Sequence, residues 1–203
     1  MKNFLDELRI QRWDDHRFYH QSRINQTLHL ISAISFLVAY VMLFFDPATA
    51  ALIAWLVSMV TRQSGHFFFE PLGFDEVNQV TNEYKESIKV GYNLARKRIL
   101  LGAWALSPLL IWLAPDVLPF VPEHEGWQEW LNDVGWCWFW LGIAALVFRM
   151  AQLTLQQSFR TAIVWICKII TDPFHDIKIY YKSPYYLLKG ELLDTSMRNG
   201  LSH

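Results

Sequence analysis

The chain has only two cysteines, Cys137 and Cys167, far apart and without a CxxC pair. That leaves no disulfide framework and no thiolate metal cluster, so both are read as packing residues. It also lacks a Gly-rich phosphate loop, an internal repeat and a low-complexity tract, and a net charge of -1 excludes a broad basic surface for nucleic acid. Residues 1–23 are charged and have no apolar run, so no cleavable signal peptide is expected and the first span must serve as its own insertion signal. No HxxHH box occurs, and only His16 and His20 stand at HxxxH spacing. This argues against the histidine-box chemistry of di-iron hydroxylases and desaturases.

Apolar residues, by contrast, are abundant. A hydrophobic share of 53% with ten tryptophans points away from an ordinary soluble domain. Ile24 to Phe45 contains no Asp, Glu, Lys or Arg and is long enough to cross a bilayer. Pro47 to Phe69 has Arg62 as its only charge, Ile99 to Pro115 has none, and Val134 to Phe148 extends past a snorkelling Arg149 toward Leu155. The expected fold is all-α: a multi-span membrane helical bundle of about four transmembrane helices plus interfacial amphipathic helices. A soluble helical bundle is the lesser alternative, since the second hairpin is short.

Charge between the spans supports this count. Lys2, Arg9, Arg12, Arg17 and Arg23 precede the first span, and Lys85, Lys89, Arg96, Lys97 and Arg98 lie between the second and third. The next loop holds Asp116, Glu123, Glu125, Glu129 and Asp133 and no basic residue, while Arg160, Lys168, Lys178, Lys182, Lys189 and Arg198 follow the last span. Basic loops face the cytoplasm, so both termini are expected there, in a bacterial inner membrane or the endoplasmic reticulum. The whole chain, 1–203, forms one integral membrane domain. Its parts are an interfacial helix over 1–23, a first hairpin over 24–71 turning at Asp46-Pro47, a partly helical cytoplasmic segment over 72–98, a second hairpin over 99–155 and an interfacial C-terminal region over 156–203. Within the last part, 156–170 is expected to form one amphipathic helix, and Asp172-Pro173 to cap and start another.

The polar residues of the first hairpin form stripes. Ser22, Asn25, His29 and Ser32 share about a quarter of a helix circumference. On the second span Ser58, Arg62, His66 and Glu70 repeat every four residues. Because the spans are hairpin neighbours, these stripes can face each other. Each residue has a structural alternative: His29 or His66 as a hydrogen-bonded interfacial histidine, and Arg62 with Glu70 as a salt bridge. Taken together, two or three imidazoles and a carboxylate make a nitrogen and oxygen ligand set for iron or zinc. His20 is half a turn out of phase with His29, so both reach one metal only if the chain bends between them. His16 and His20 are also spaced as a separate surface pair. Asn25 suits the orientation of an imidazole, Arg62 suits a carboxylate clamp, and His175 is either an exposed loop histidine or a further ligand. Trp55 and Phe67 to Phe69 are read as membrane interface rather than as a substrate box.

Tyr19-His20, Asn25 and His29, followed by Gly65-His66 and Phe69-Glu70, resemble the iron-dependent 2-hydroxy-fatty-acid dioxygenases of the fungal phytosphingosine-to-odd-chain-fatty-acid pathway and their bacterial relatives. The resemblance covers residues 16–71. Pro71-Leu72-Gly73 here replaces the basic residues and the Pro-Ala-Leu stretch of that family, and the stretch between the two elements is shorter. The resemblance implies a membrane enzyme that uses Fe(II) and dioxygen to shorten a fatty-acyl substrate, a 2-hydroxy fatty acid, by one carbon. Its metal ligands would come from His20, His29, His66, Glu70 and His175, with Arg62 and Asn25 in catalytic support. The alternative is a membrane scaffold or lipid-binding protein, without activity, whose polar stripes only join helices. A transporter finds little support, since no Gly or Pro interruption is paired between two halves.

Overall fold

The computed structural model describes residues 3–70, 73–90, 94–114 and 124–194, and every regular element among them is helical. The step through Pro71, residues 115–123 of the acidic loop, and the end of the chain with Arg198 and His203 lie outside the described residues.

Local sequence explains where the helices start. Helix α1, Phe4–Tyr19, begins at a capping box in which the Asn3 side chain accepts from the Asp6 amide at 2.8 Å and the Asp6 carboxylate accepts from the Asn3 amide. Helix α2, Arg23–Met42, starts at Ser22. Asp46 then caps α3, Pro47–Ile53, accepting from the amides of Ala48 at 3.0 Å and Thr49 at 3.2 Å, with Pro47 at the first helical position. The rod continues through a π-helical turn, Ala54–Met59, into α4, Val60–Phe68. Helix α5, Asn82–Ile88, is short; α6, Leu94–Leu113, and α7, Trp127–Gln156, are long; α8, Phe159–Tyr180, and α9, Ser183–Leu188, complete the chain.

Helix α2 is the axis of the assembly. It packs on α3, the π turn and α4 along one side, and on α8 and α9 along another. Helix α7 lies against α3 and α8, and it approaches α3 closely at Gly135, where a β-carbon would stand 2.7 Å from the Ala48 carbonyl oxygen. One core joins Ala51, Trp55, Ile111, Val134 and Trp138, tied by the Trp55 indole donating to the Trp138 carbonyl at 3.0 Å. A second joins Leu153, Ala162 and Trp165.

Among the described residues two helices, α2 with 20 residues and α7 with 30, are each long and apolar enough to cross a membrane. The expected second span is divided among α3, the π turn and α4, and the expected third begins in α6 with Arg96, Lys97 and Arg98 inside the helix. Large apolar side chains line the outside, including Ile34, Val38 and Val41 on α2, Leu109 and Leu113 on α6, and Trp140 and Val147 on α7.

Two local expectations are corrected. Asp172-Pro173 does not start a helix: both residues are buried inside α8. The Asp172 carboxylate is taken by Lys168 and Arg12 instead of capping amides, and close to the missing Pro173 amide the Ile170 carbonyl accepts from the Tyr40 hydroxyl at 3.1 Å. Arg149 does not snorkel. It is 3% exposed, and its guanidinium donates to the Val90 carbonyl and to Gln152.

The tail folds back on the α1–α2 junction. The Arg23 amide donates to the Leu192 carbonyl at 2.9 Å and the Asp194 amide to the Gln21 carbonyl at 2.8 Å. Gln26 donates to Asp194 and to the His20 carbonyl and accepts from Ser183. The chain around His20 is thus held from both ends of the sequence.

Candidate metal centre

Helix α1 stops at Tyr19, and His20 leaves the helical conformation with φ -117° and ψ 38° before Ser22 starts α2. This is the bend that the His20 and His29 spacing requires. It brings the two imidazoles to 3.9 Å between ring centroids, and His66 of α4 closes the group at 5.2 Å from His20 and 5.0 Å from His29. One ligand nitrogen from each of the three lies within 4.8 Å of the others, so the group could hold a metal ion.

The close approach of α2 and α4 has a specific cause. Gly65 sits over Asn25 and His29, where a side chain would collide with the Asn25 amide oxygen. Asn25 does not orient an imidazole directly; its amide donates to the Tyr19 carbonyl at 2.7 Å and so fixes the turn that carries His20. Asn25 and His29 of α2 thus meet Gly65 and His66 of the opposing rod, and the two stripes do face each other there.

The hydrogen bonds set which nitrogens point inward. His20 Nδ1 lies 2.7 Å from the Tyr180 hydroxyl, which is also 2.9 Å from His16 Nδ1. A hydroxyl has one proton, so at least one of these two imidazoles must donate to Tyr180; in the arrangement where His20 Nδ1–H donates and Tyr180 donates on to His16, the His20 Nε2 lone pair faces the group, which is the tautomer a metal requires. His66 Nδ1 donates to Glu70 Oε2 at 2.8 Å and likewise leaves Nε2 for a ligand role. His29 Nδ1 stands 3.6 Å from Asp176, beyond hydrogen-bond range. His20 Nε2 and both ring nitrogens of His29 are buried without a hydrogen-bond partner among the described residues. Leaving such a nitrogen bare costs about 1–3 kcal/mol, and a cation at the centre of the group would take His20 Nε2 and one of the two His29 nitrogens. The residues therefore fit a metal. Burial, with His29 alongside, holds the His20 imidazole well below its usual titration range, which keeps it in the neutral ligating form.

The other expected site residues fall around this group. Glu70 accepts from His66 and lies 3.5 Å from Lys89, so it supports a ligand. Arg62 and Glu70 form no pair; Arg62 donates to Asp176 at 3.1 Å and lies 3.9 Å from Asp172. His175 is half-buried in α8, outside the three-histidine group, in a small pocket with Arg12 and His16. His16 and His20 are joined through Tyr180 rather than forming a surface pair. Trp55 is buried, while Phe68 is 77% exposed.

Helix α8 supplies what sequence reasoning missed. Lys168, Asp172, Asp176 and Tyr180 repeat every four residues, and all four are buried. Lys168 bridges Asp172 and Asp15 of α1, Arg12 also reaches Asp172, and Asp176 holds Arg62. That spacing was the available signal. Burial, with Asp176 nearby, raises the Tyr180 hydroxyl well above its usual range, so it stays protonated.

A cavity of about 520 Å³ opens beside His66. Its walls are mainly apolar, with Phe36, Trp55, Met59, Leu101, Leu146 and Trp165 contributed by five elements, and Arg62, Gln63, Lys89 and Lys97 also line it. The π turn places Trp55 and Met59 in this wall. Comparison with protein-family models, with curated proteins and with solved structures returns no match.

Proposed function

We propose that this chain is a membrane-embedded, Fe(II)-dependent dioxygenase that shortens 2-hydroxy fatty acids by one carbon. The observation that carries the proposal is the joining of three converging, inward-facing imidazoles to an apolar cavity of acyl-chain character. The four-span topology with cytoplasmic termini belongs to the same reading: the apolar outer surface meets lipid, and the polar stripes meet at the cytoplasmic end of the hairpin. A site at that depth lets an acyl tail stay in an apolar environment while its head group reaches the histidines.

His20, His29 and His66 would hold the iron, which when bound supplies open positions for the substrate oxygens and for dioxygen. Glu70 and Tyr180 orient two of the imidazoles, and Asn25 fixes the His20 turn. The Asp176–Arg62 pair carries the charge next to His29, and the cavity walls exclude water from the chain of the substrate. The oxidation balances with dioxygen alone: a 2-hydroxy acid and dioxygen give the acid one carbon shorter, carbon dioxide and water. No separate reductant is required.

The test is turnover. Detergent-purified protein reconstituted with ferrous iron is given 2-hydroxypalmitate under oxygen, and products are read by mass spectrometry. Oxygen-dependent formation of the odd-chain product, lost in His29→Ala, supports the proposal. Substrate unchanged by an iron-loaded, folded protein contradicts it.

A further inference from the structure

Among the described residues, the charged side chains lining the cavity are paired with one exception. Glu7 meets Arg160 at 3.3 Å, Asp14 meets Arg17 at 2.6 Å, Asp15 and Asp172 share Lys168, Arg62 is held by Asp176, and Lys89 lies 3.0 Å from Glu86. Lys97, on the first turn of α6, is half-buried and forms no ion pair or hydrogen bond among the described residues. Burial, with Lys89 adding repulsion, pushes its ammonium down to about 8. A half-buried cation without a counter-ion is costly unless an anion joins it. Gln63 Oε1 of α4, also lining the cavity and less than one helical turn from His66, is buried without a partner among the described residues.

We infer that Lys97 is the anchor for the carboxylate of a single-chain fatty acid whose acyl tail fills this cavity, placing the head group beside His66. This specifies the substrate contact of the reading above and rests on it for the identity of the ligand. It moves the clamp away from Arg62, whose donors already face Asp176 and Asp172. Among the described residues one lining cation lacks an ion-pair partner, and one positive charge matches one carboxylate. A phosphate head group carries about half to one further negative charge near neutral pH, more than a single ammonium balances.

The experiment uses the full chain in detergent after metal removal by chelation, so binding is measured apart from any metal. Palmitate, hexadecanol and hexadecyl phosphate each displace a fluorescent fatty acid from wild type, Lys97→Met and Lys97→Arg. The expected result is palmitate binding weakened by about tenfold or more in Lys97→Met and retained in Lys97→Arg. Hexadecanol affinity should be equal in all three, which also shows that the cavity is intact. Palmitate bound equally by wild type and Lys97→Met, or not bound by wild type, overturns the anchor while leaving the metal centre standing. Hexadecyl phosphate bound more tightly than palmitate through Lys97 overturns the choice of carboxylate. Lys97-dependent palmitate binding in a protein that takes up no iron would uphold the anchor and refute the dioxygenase.

Discussion

A β-carbon on Gly65 would lie 2.0 Å from the amide oxygen of Asn25 and 3.5 Å from Cδ2 of His29. The first hairpin therefore closes on a contact that only glycine permits. Gly65→Ala is expected to push α4 away from α2, costing about 1–3 kcal/mol in a thermal or denaturant melt and loosening the histidine group. Combining it with Asn25→Ala should cost less than the two single changes added together, because the colliding atom is gone. Strict additivity would show that this contact is not what limits the packing.

Tyr180 connects His16 to His20 through one hydroxyl. Tyr180→Phe keeps the ring and removes that oxygen, so His20 loses the acceptor that sets its tautomer. Metal affinity, read by competition with a chelator, is expected to fall by about 10–100-fold, and the melt to show a loss of about 1–3 kcal/mol from the buried nitrogen left bare. Affinity equal to wild type would remove Tyr180 from the support of the site.

Arg62 and Asp176 form a largely buried ion pair between α4 and α8. Asp176→Leu alone leaves a buried guanidinium with only the more distant Asp172, and is expected to cost about 3–5 kcal/mol. Arg62→Met with Asp176→Leu should recover most of that loss in a double-mutant cycle. A double variant as unstable as the single would indicate that the pair does more than balance charge.

Asp75 accepts from the amides of Val77 and Asn78 and from the side chains of Gln21 and Asn78, at 2.8 to 3.0 Å. Burial opposes its ionisation, but these hydrogen bonds outweigh burial and hold the carboxylate below its usual range. Its folded value is depressed, so the unfolded chain binds the proton more readily. The contribution to stability is then complete above the unfolded value of 3.8 and is lost as pH falls through the lower folded value. Melting temperatures measured from pH 6 downward should fall in acid more steeply for wild type than for Asp75→Asn, which is expected to start lower and vary less. Parallel curves would contradict this assignment.

The sequence made the first half of the site legible. The four-residue repeat through Arg62, His66 and Glu70, the quarter-turn stripe through Asn25 and His29, and the need for a bend after His20 all depend on local spacing, and helix geometry turns spacing directly into direction. The partners of those residues were less visible because they arrive from 100 or more residues away. Asp172-Pro173 looked like a helix start by local rules, and this reading split the Lys168, Asp172, Asp176 and Tyr180 repeat on α8. The alternative of an Arg62–Glu70 salt bridge fails for a similar reason: Glu70 is close in sequence, whereas Asp176 is close in space. Among the described residues, two of the four expected spans are helices long and apolar enough by themselves, because the second is interrupted by the π turn and the helix that carries the third starts with Arg96, Lys97 and Arg98 ahead of Ile99.

Metal content decides the central claim. Elemental mass spectrometry on detergent-purified protein, reconstituted anaerobically with ferrous iron, is run on wild type, His29→Ala and His66→Ala, each checked for folding by its melt. The account predicts about one iron per chain in the wild type and little or none in the folded variants. A wild type that binds neither iron nor zinc would contradict the metal centre and leave the polar stripes as the joinery of a membrane scaffold.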